Sequence, residues 1–473
     1  MNIAMRDASA RAATVRTRLA RSALAPLLAV GAAAADGGGN PCLPGHAVAD
    51  QVVVELSGSA SIDEVVAAMQ VSFPGVRVLT GLPQEKLWLL SAPEPICEQA
   101  LVDALALLPG VEDAELNETK ESAEGQSQSF FFAALPGDFA DQYAPPLVGA
   151  DEAAAIVDGT GVVVAVVDTG VDAMHPLLAG ATVLPAQAFV LDGITTDAGD
   201  GIDNDGDGAT DEMVGHGTFV AGLIHRVAPG AAILPLRAVD SDGHATTFSV
   251  AQALAAAIAA EVDVINLSFT AAENATAIDN QLAKAKQKGI VVVVSAGNGA
   301  HVGEGPYPAK LQSVIAVAGT DAADQLAPWS NAGPFVDLCA PAVDLVACVP
   351  GDAFAFGNGT SFSAALVSGA AALVRAQEPA LTPSEVKARL QSTAQAIDGA
   401  NPGMGGMLGA GRLDAAAAVG AAAALPDRDS DGDVDGADLG ALLSLWGTSE
   451  GDLDGDGTTD GADLALLLSA WTG

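Results

Sequence analysis

Aromatic residues are scarce: 13 Phe, 4 Trp and 2 Tyr make up 4 % of 473 residues. Large rings therefore cannot fill most of the interior. Half of the residues are hydrophobic, and 53 glycines accompany abundant alanine, so the core must be assembled from small side chains. Basic residues are also few. Nineteen Lys and Arg stand against 59 Asp and Glu, a formal charge of −40. Nucleic-acid binding needs a basic face, so no nucleic-acid partner is expected. The acidic balance suits solubility and cation binding instead. After the first 35 residues no apolar run is both long and free of polar breaks, so no membrane span is expected. Cysteine occurs four times, at Cys42, Cys97, Cys339 and Cys348. Four cysteines permit three pairings. Their neighbourhoods suggest Cys42–Cys97 and Cys339–Cys348, with buried free thiols as the alternative.

The length allows two to four domains. Residues 1–35 begin with Arg6, Arg11, Arg16, Arg18 and Arg21 and continue into the apolar stretch Ala23–Ala35. A basic start, a short apolar run and small residues read as a cleaved secretory signal and imply a secreted, extracellular protein. Export permits disulfides. Residues 36–120 form a separate pattern. Val52–Leu56, VRVLTG, KLWLLSA and Val111–Leu116 read as strands, and Ile62–Gln70 and Cys97–Leu108 read as helices. This βαββαβ order is ferredoxin-like. Residues 121–137 read as a polar linker that contains Phe130–Phe132.

From 138 to 424, apolar runs at Val162–Val167, Ile233–Leu236, Val262–Ile265, Ile290–Val294 and Val314–Val317 alternate with Ala-rich helical segments. Continuous apolar strands between helices mean a mostly parallel sheet buried on both faces, an α/β fold. Sites in such sheets lie at the carboxyl ends of the strands. Asp168 stands at such an end. Thr382-Pro383-Ser384-Glu385 is a capping box opening a helix to about Ile397.

The stretch Gly357–Ala376, GNGTSFSAALVSGAAALVRA, places Ser361 where flexible residues give way to a helix. A helix N-terminus favours developing negative charge. Alone, Ser361 would read as an N-cap. Asp168 in VVVAVVDTGVD and His216 in GHGTFVAGLI supply an acid and a base, in one known chain order of the serine-hydrolase triad. The nucleophile-elbow order does not fit, because the Asp precedes the His and the serine lies in G-T-S-F-S.

VVDTGVD, GHGTFVAG, SAGN, GTSFSAA and the closing GAGRLDAAAAV together resemble the subtilisin family of serine proteases over about residues 150–420. The resemblance implies a subtilisin-like fold and hydrolysis of polypeptide substrates through an acyl-enzyme. It implies Ser361 as nucleophile, His216 as base, Asp168 as the group orienting it, and Asn298 as side-chain donor of the oxyanion hole. Ser268, Phe269 and Thr270 match the substrate edge, and Ser295, Ala296 and Gly297 the facing wall. Residues 36–120 then resemble the family's propeptide, an inhibitor removed by self-cleavage between about Asn117 and Gly137. This chain departs from the family pattern at Phe219 (usually His), Thr270 (usually Gly), Phe362 (usually Met) and Ala365 (usually Pro). Thr270, Phe362 and Ala365 sustain the rival reading, a catalytically silent fold serving as a calcium-dependent surface binding module. His46, His175, His225, His244 and His301 read as structural or surface residues.

Two acidic regions read as Ca²⁺ sites, since alternating Asp and Gly combine hard oxygen ligands with tight turns. One is residues 200–212, with Asp203, Asp205, Asp207 and Asp211. The other is a repeat in residues 425–473. Asp427, Asp429, Asp431, Asp433 and Asp438 recur 25 residues later (452 − 427) as Asp452, Asp454, Asp456, Thr458 and Asp463. Asp at loop positions 1, 3, 5 and 12, with Gly at 6, is EF-hand-like. Two such loops, each with one following helix, resemble a small all-α dockerin domain. That implies tethering to a cohesin-type partner on a scaffold or cell surface.

Overall fold

The computed structural model describes residues 47–122, 132–190, 192–204, 208–271, 274–420 and 434–448, with a few residues between 459 and 471. The expected signal segment, Cys42, the middle of the linker, Asp205 and Asp207 lie outside the described residues. So do all the expected C-terminal calcium ligands except Asp438.

Residues 47–122 run β1 (Ala47–Leu56), α1 (Ile62–Met69), β2 (Arg77–Leu82), β3 (Leu87–Ser91), α2 (Glu98–Leu105) and β4 (Val111–Ser122). The sheet order is β4-β1-β3-β2, all antiparallel. Its strands alternate faces. Val52 and Val54 join Val65 and Leu101 in a small local core, while Val53, Leu87 and Leu89 belong to the core of the large sheet. β4 runs six residues past the apolar stretch visible in sequence. Its polar end, Thr119–Ser122, is held by pairing with β10 (His244–Thr246) and β12 (Phe269–Thr270) of the large unit.

The chain resumes at β5 (Phe132–Ala134), which pairs with β17 (Ala353–Gly357), just before the helix that carries Ser361. Three short helices follow: α3 (Pro136–Asp141), α4 (Ala144–Leu147) and α5 (Ala150–Ile156). The large sheet has the order β15-β14-β13-β11-β6-β9-β7 and is parallel throughout. Its strands are β6 (Val163–Asp168), β7 (Thr182–Val183), β9 (Ala232–Arg237), β11 (Val264–Leu267), β13 (Val291–Ser295), β14 (Ile315–Thr320) and β15 (Leu338–Pro341), and β8 (Gln187–Ala188) pairs with β9. The apolar runs read from sequence fall on β6, β9, β11, β13 and β14.

Helices cover both faces. α6 (His216–Val227) and α9 (Thr360–Gln377) lie on one side; α7 (Thr247–Ala259) and α8 (Thr276–Gln287) lie on the other. Along β6, Val164 and Val166 face the first layer and Ala165 and Val167 the second, so these four positions are all apolar. Thr360 to Val374 of α9 are all buried. Small residues allow this: a Cβ on Gly369 would lie 2.7 Å from Val227 Cβ of α6. β16 (Leu345–Val349) pairs with β17 beside this layer. α10 (Pro383–Ser392) carries the expected capping box, in which Thr382 N–H donates to Glu385. The described remainder includes α11 (Ala415–Ala418) and α12 (Gly436–Ser444). Among the described residues no helix is long and apolar enough to cross a membrane.

The expected Cys339–Cys348 bridge is not formed. Both are buried free thiols. Cys339 lies on β15 and its Sγ donates to Leu408 O, whereas Cys348 lies on β16 against α6 and its Sγ donates to Thr218 O. Nine residues of sequence carry the chain from one packing cluster to another, so proximity in sequence is not proximity in space. Burial pushes both thiols up, Cys348 to about 12, which keeps them protonated and inert. Cys97 is disulfide-bonded.

Candidate active site

Each triad candidate stands at the end of an element. Asp168 closes β6 at the carboxyl edge of the parallel sheet. Its Oδ1 accepts Thr169 N–H at 2.8 Å and faces His216 Nδ1 at 2.6 Å. A carboxylate only accepts, so Nδ1 carries the proton and Nε2 is left basic. That is the tautomer a general base requires. His216 opens α6 behind Gly215, whose φ of 102° lies in the left-handed region that favours glycine.

Ser361 is the second residue of α9, in the turn whose N–H groups have no intrahelical acceptor. The neighbouring Phe362 ring packs on the His216 imidazole, with centroids 5.5 Å apart, and on Phe219 at 4.3 Å. The imidazole therefore lies beside the turn that carries Ser361. Two of the departures from the family pattern, Phe219 and Phe362, are thus a single feature: the two rings pack on each other. Ala365 is fully buried among the small residues of α9.

Asn298 follows β13. Its Oδ1 accepts both Thr360 N–H, at 3.0 Å, and Thr360 Oγ1–H, at 2.8 Å. Gly297 N–H donates to Thr360 Oγ1 at 3.1 Å. With the acceptor end of the amide held by the residue before Ser361, the donor end, Nδ2, is the end not bonded to Thr360. Thr360 was not legible as a site residue. It stands beside the serine like an ordinary cap, and its role appears only once β13 is placed.

Phe269 and Ala296 are fully buried in two different clusters, and Ser295 is fully buried. Their side chains belong to the core, so what these stretches can present outward is backbone rather than side chains. Thr270 lies over Gly297, where a Cβ would sit 3.2 Å from its methyl carbon. The methyl that breaks the family pattern therefore occupies space above a glycine. Ser268 Oγ accepts a hydrogen bond from Asn266 Nδ2 at 2.9 Å.

In the antiparallel pairing, Ser122 lies opposite Phe269 and Glu121 opposite Thr270, while on the other side Glu121, Lys120 and Thr119 face His244, Ala245 and Thr246. A polypeptide strand thus fills the groove between β10 and β12. Ser361 is fully buried with that strand in place.

In the 200–212 loop, Asp200 N–H donates to Asp211 Oδ1 at 2.9 Å and Gly208 N–H to Asp203 Oδ2 at 3.1 Å. Asp242 accepts from Asn204 N–H and Asp211 N–H. Carboxylate oxygens, the hard ligands Ca²⁺ takes, here accept backbone N–H groups of the loop. Among the described residues no group of three or more His, Cys, Asp or Glu is gathered around one point that could hold a metal. Asp438 is fully buried and its Oδ2 accepts Asp435 N–H at the start of α12.

Residues 159–411 match the family model of the subtilase family. A thermophilic serine proteinase from Bacillus sp. (strain AK1) is 34 % identical over 312 residues, 64 % of this chain and 72 % of that protein. Subtilisin from Bacillus pumilus is 35 % identical over 251 residues, 50 % of this chain and 84 % of the relative. Fervidolysin from Fervidobacterium pennivorans, a keratinolytic enzyme related to subtilisin, superposes with a TM-score of 0.65. That alignment covers 81 % of this chain and 62 % of the other at 24 % identity, a likeness of fold. The chain belongs to the subtilase family of serine endopeptidases.

Proposed function

We propose that this endopeptidase uses Ser361 as its nucleophile and is made as a self-processing, secreted precursor. Ser361 Oγ attacks the peptide carbonyl, and His216 Nε2 takes the hydroxyl proton and passes it to the leaving amine. Asp168 holds the imidazole tautomer and stabilises its positive charge. Asn298 Nδ2 and the Ser361 N–H receive the charge that develops on the carbonyl oxygen. The observation that carries this reading is the 2.6 Å contact between His216 Nδ1 and Asp168 Oδ1, which joins residues 48 apart in sequence. Phe362, one of the grounds for the silent binding module, is accommodated by packing on Phe219.

Residues 36–120 would act as the inhibitory propeptide. The strand Thr119–Ser122 between β10 and β12 supports this, because it occupies a groove in which a substrate strand would pair. Full-length protein is expected to split between about Asn117 and Gly137, and Ser361→Ala to stay intact. A purified Ser361→Ala protein that splits at the same rate would remove self-processing from the account.

Calcium would bind at residues 200–212, through Asp203, Asp205, Asp207 and Asp211, and in the two C-terminal loops. The dockerin-like tail would tether the enzyme to a cohesin-type partner. Chelation is expected to lower the thermal midpoint of the full chain, with Ca²⁺ restoring it, since a ligand of the native state stabilises it. An unchanged midpoint under chelation would exclude a stabilising calcium.

A further inference from the structure

Close to the Asp168–His216 pair lies a second carboxylate, Asp197, which is 2 % exposed. It sits on the irregular segment between β8 and α6, and four donors surround it. Thr169 Oγ1–H and Gly215 N–H donate to its Oδ1 at 3.0 and 2.9 Å. Thr218 N–H and Oγ1–H donate to its Oδ2 at 2.9 and 2.6 Å. Each hydroxyl is itself fixed by a backbone donor. Gly217 N–H donates to Thr169 Oγ1 at 3.0 Å, and Asp172 N–H to Thr218 Oγ1 at 2.9 Å. Both hydroxyl protons are therefore turned towards Asp197. An ionised carboxylate offers about four acceptor sites, and four donors fill them. Burial raises the proton affinity of Asp197, the Thr218 and Gly215 donors oppose that, and the Asp168 charge adds to it.

The segment that carries Asp197 is held in turn. Arg237, fully buried at the end of β9 and opposite Asp168 in the sheet, sends Nη1 to the carbonyls of Thr169, Thr196 and Ala198 at 2.7, 3.0 and 3.2 Å. Its Nη2 pairs with Asp192 Oδ2 at 2.6 Å. A buried cation thus ties the residues on both sides of Asp197 to the turn after Asp168.

We propose that Asp197 is a positioning residue for the catalytic base: through Thr169 and Thr218 it locks the first turn of α6 against the turn after β6, and its charge supports the His216 imidazolium. The proposal rests on reading Asp168, His216 and Ser361 as the triad. Asp197 touches none of the reacting atoms. It binds Gly215 and Thr218 on either side of His216, and Thr169 beside Asp168. Other charged or titratable groups on the elements packed around α6 are Asp172 and His175 after β6, Cys348 on β16, Asp192 with Arg237, and Asp151, Glu152 and Arg375 on α5 and α9. Asp151 pairs with Arg226 at the far end of α6.

The test is the pH dependence of fluorophosphonate labelling at Ser361, in full chains processed alike by immobilised wild-type enzyme. Labelling needs neutral His216, so its acid limb reports the imidazole. Removing an anion makes the imidazolium easier to deprotonate. Asp197→Asn is expected to slow labelling at the plateau about tenfold and to move the acid-limb midpoint about one pH unit lower. A uniform loss with an unmoved midpoint would overturn the proposal. Thr169→Val and Thr169→Ser give a second test that does not depend on whether Asp197→Asn folds. Serine is expected to keep near-wild-type labelling and valine to lose it about tenfold, the range of one lost hydrogen bond to a charged group. Equal behaviour of the two would also overturn the proposal. If wild type itself were not labelled, the triad reading would fall first and this proposal with it.

Discussion

Residues 47–122 are fastened to the large unit by a few buried apolar side chains, by polar side chains at helix ends and by one short strand, whereas the Asp168–His216 turn is fastened by buried threonines and backbone. At the first contact, Glu115 accepts Thr276 N–H and Ala277 N–H, both at 2.9 Å, at the open end of α8. Asn117 Oδ1 accepts Phe248 N–H at the open end of α7. Asn280 donates to Glu55, and Lys284 pairs with Glu85 at the rim. Glu115 and Asn117 thus cap helix ends, and the other two contacts join side chain to side chain. At the second contact Thr169, Thr218, Asp197 and Arg237 are all buried, and the two threonine hydroxyls, the Asp197 carboxylate and both Nη groups of Arg237 are bonded to fixed neighbours. The first contact joins two units, whereas the second lies wholly within the large one.

The comparison can be broken first at the site. Asn298→Ala is expected to lower kcat by about 10²–10³-fold with KM little changed, the loss seen for the side-chain oxyanion donor of subtilisin. Equal activity would mean that Asn298 serves only to hold Thr360.

The docking contact should respond to pH. Glu115 is raised to about 7, chiefly because it is buried between the two units. Its docked value lies above its ordinary value of 4.5, so docking takes up a proton. Retention of the cleaved N-terminal unit should therefore be tightest below the ordinary carboxylate range and weaken as the pH rises through about 7. Size-exclusion profiles of the processed protein from pH 5 to 8 would show it. Glu115→Gln is expected to flatten the dependence, and a dependence that survives it would locate the titration elsewhere. The smallest effect belongs to Lys284→Ala. The Lys284–Glu85 pair is about one-third exposed on both sides, and such pairs are worth about 0–1 kcal/mol. Retention should change less than about fivefold by the same chromatography.

What the sequence disclosed follows from how local each signal is. Asp168, His216, Asn298 and Ser361 lie in short motifs that carry their own backbone requirements, and the strands of the parallel sheet are continuous apolar runs. Glu121 and Ser122 read as linker because their pairing comes from β10 and β12, not from their own alternation. Asp197 is one acid among 59. Nothing in TTDAGD marks it out until Thr169 and Thr218, each one or two residues from a triad member, are seen to point at it. For Cys339 and Cys348 the buried-thiol alternative holds and the bridge does not, because sequence distance says nothing about which side of a strand faces which cluster.

The central claim is that Ser361 is an activated nucleophile covered by the N-terminal unit. Fluorophosphonate labelling of the processed full chain in Ca²⁺, beside Ser361→Ala, tests it most directly. The account expects strong labelling of the wild type at Ser361 and none of the variant. In subtilisin, loss of the nucleophile lowers kcat by about 2 × 10⁶-fold, so the contrast should be unmistakable. A wild-type chain that has lost its N-terminal unit and still takes no label, or a Ser361→Ala chain that labels equally, would contradict it.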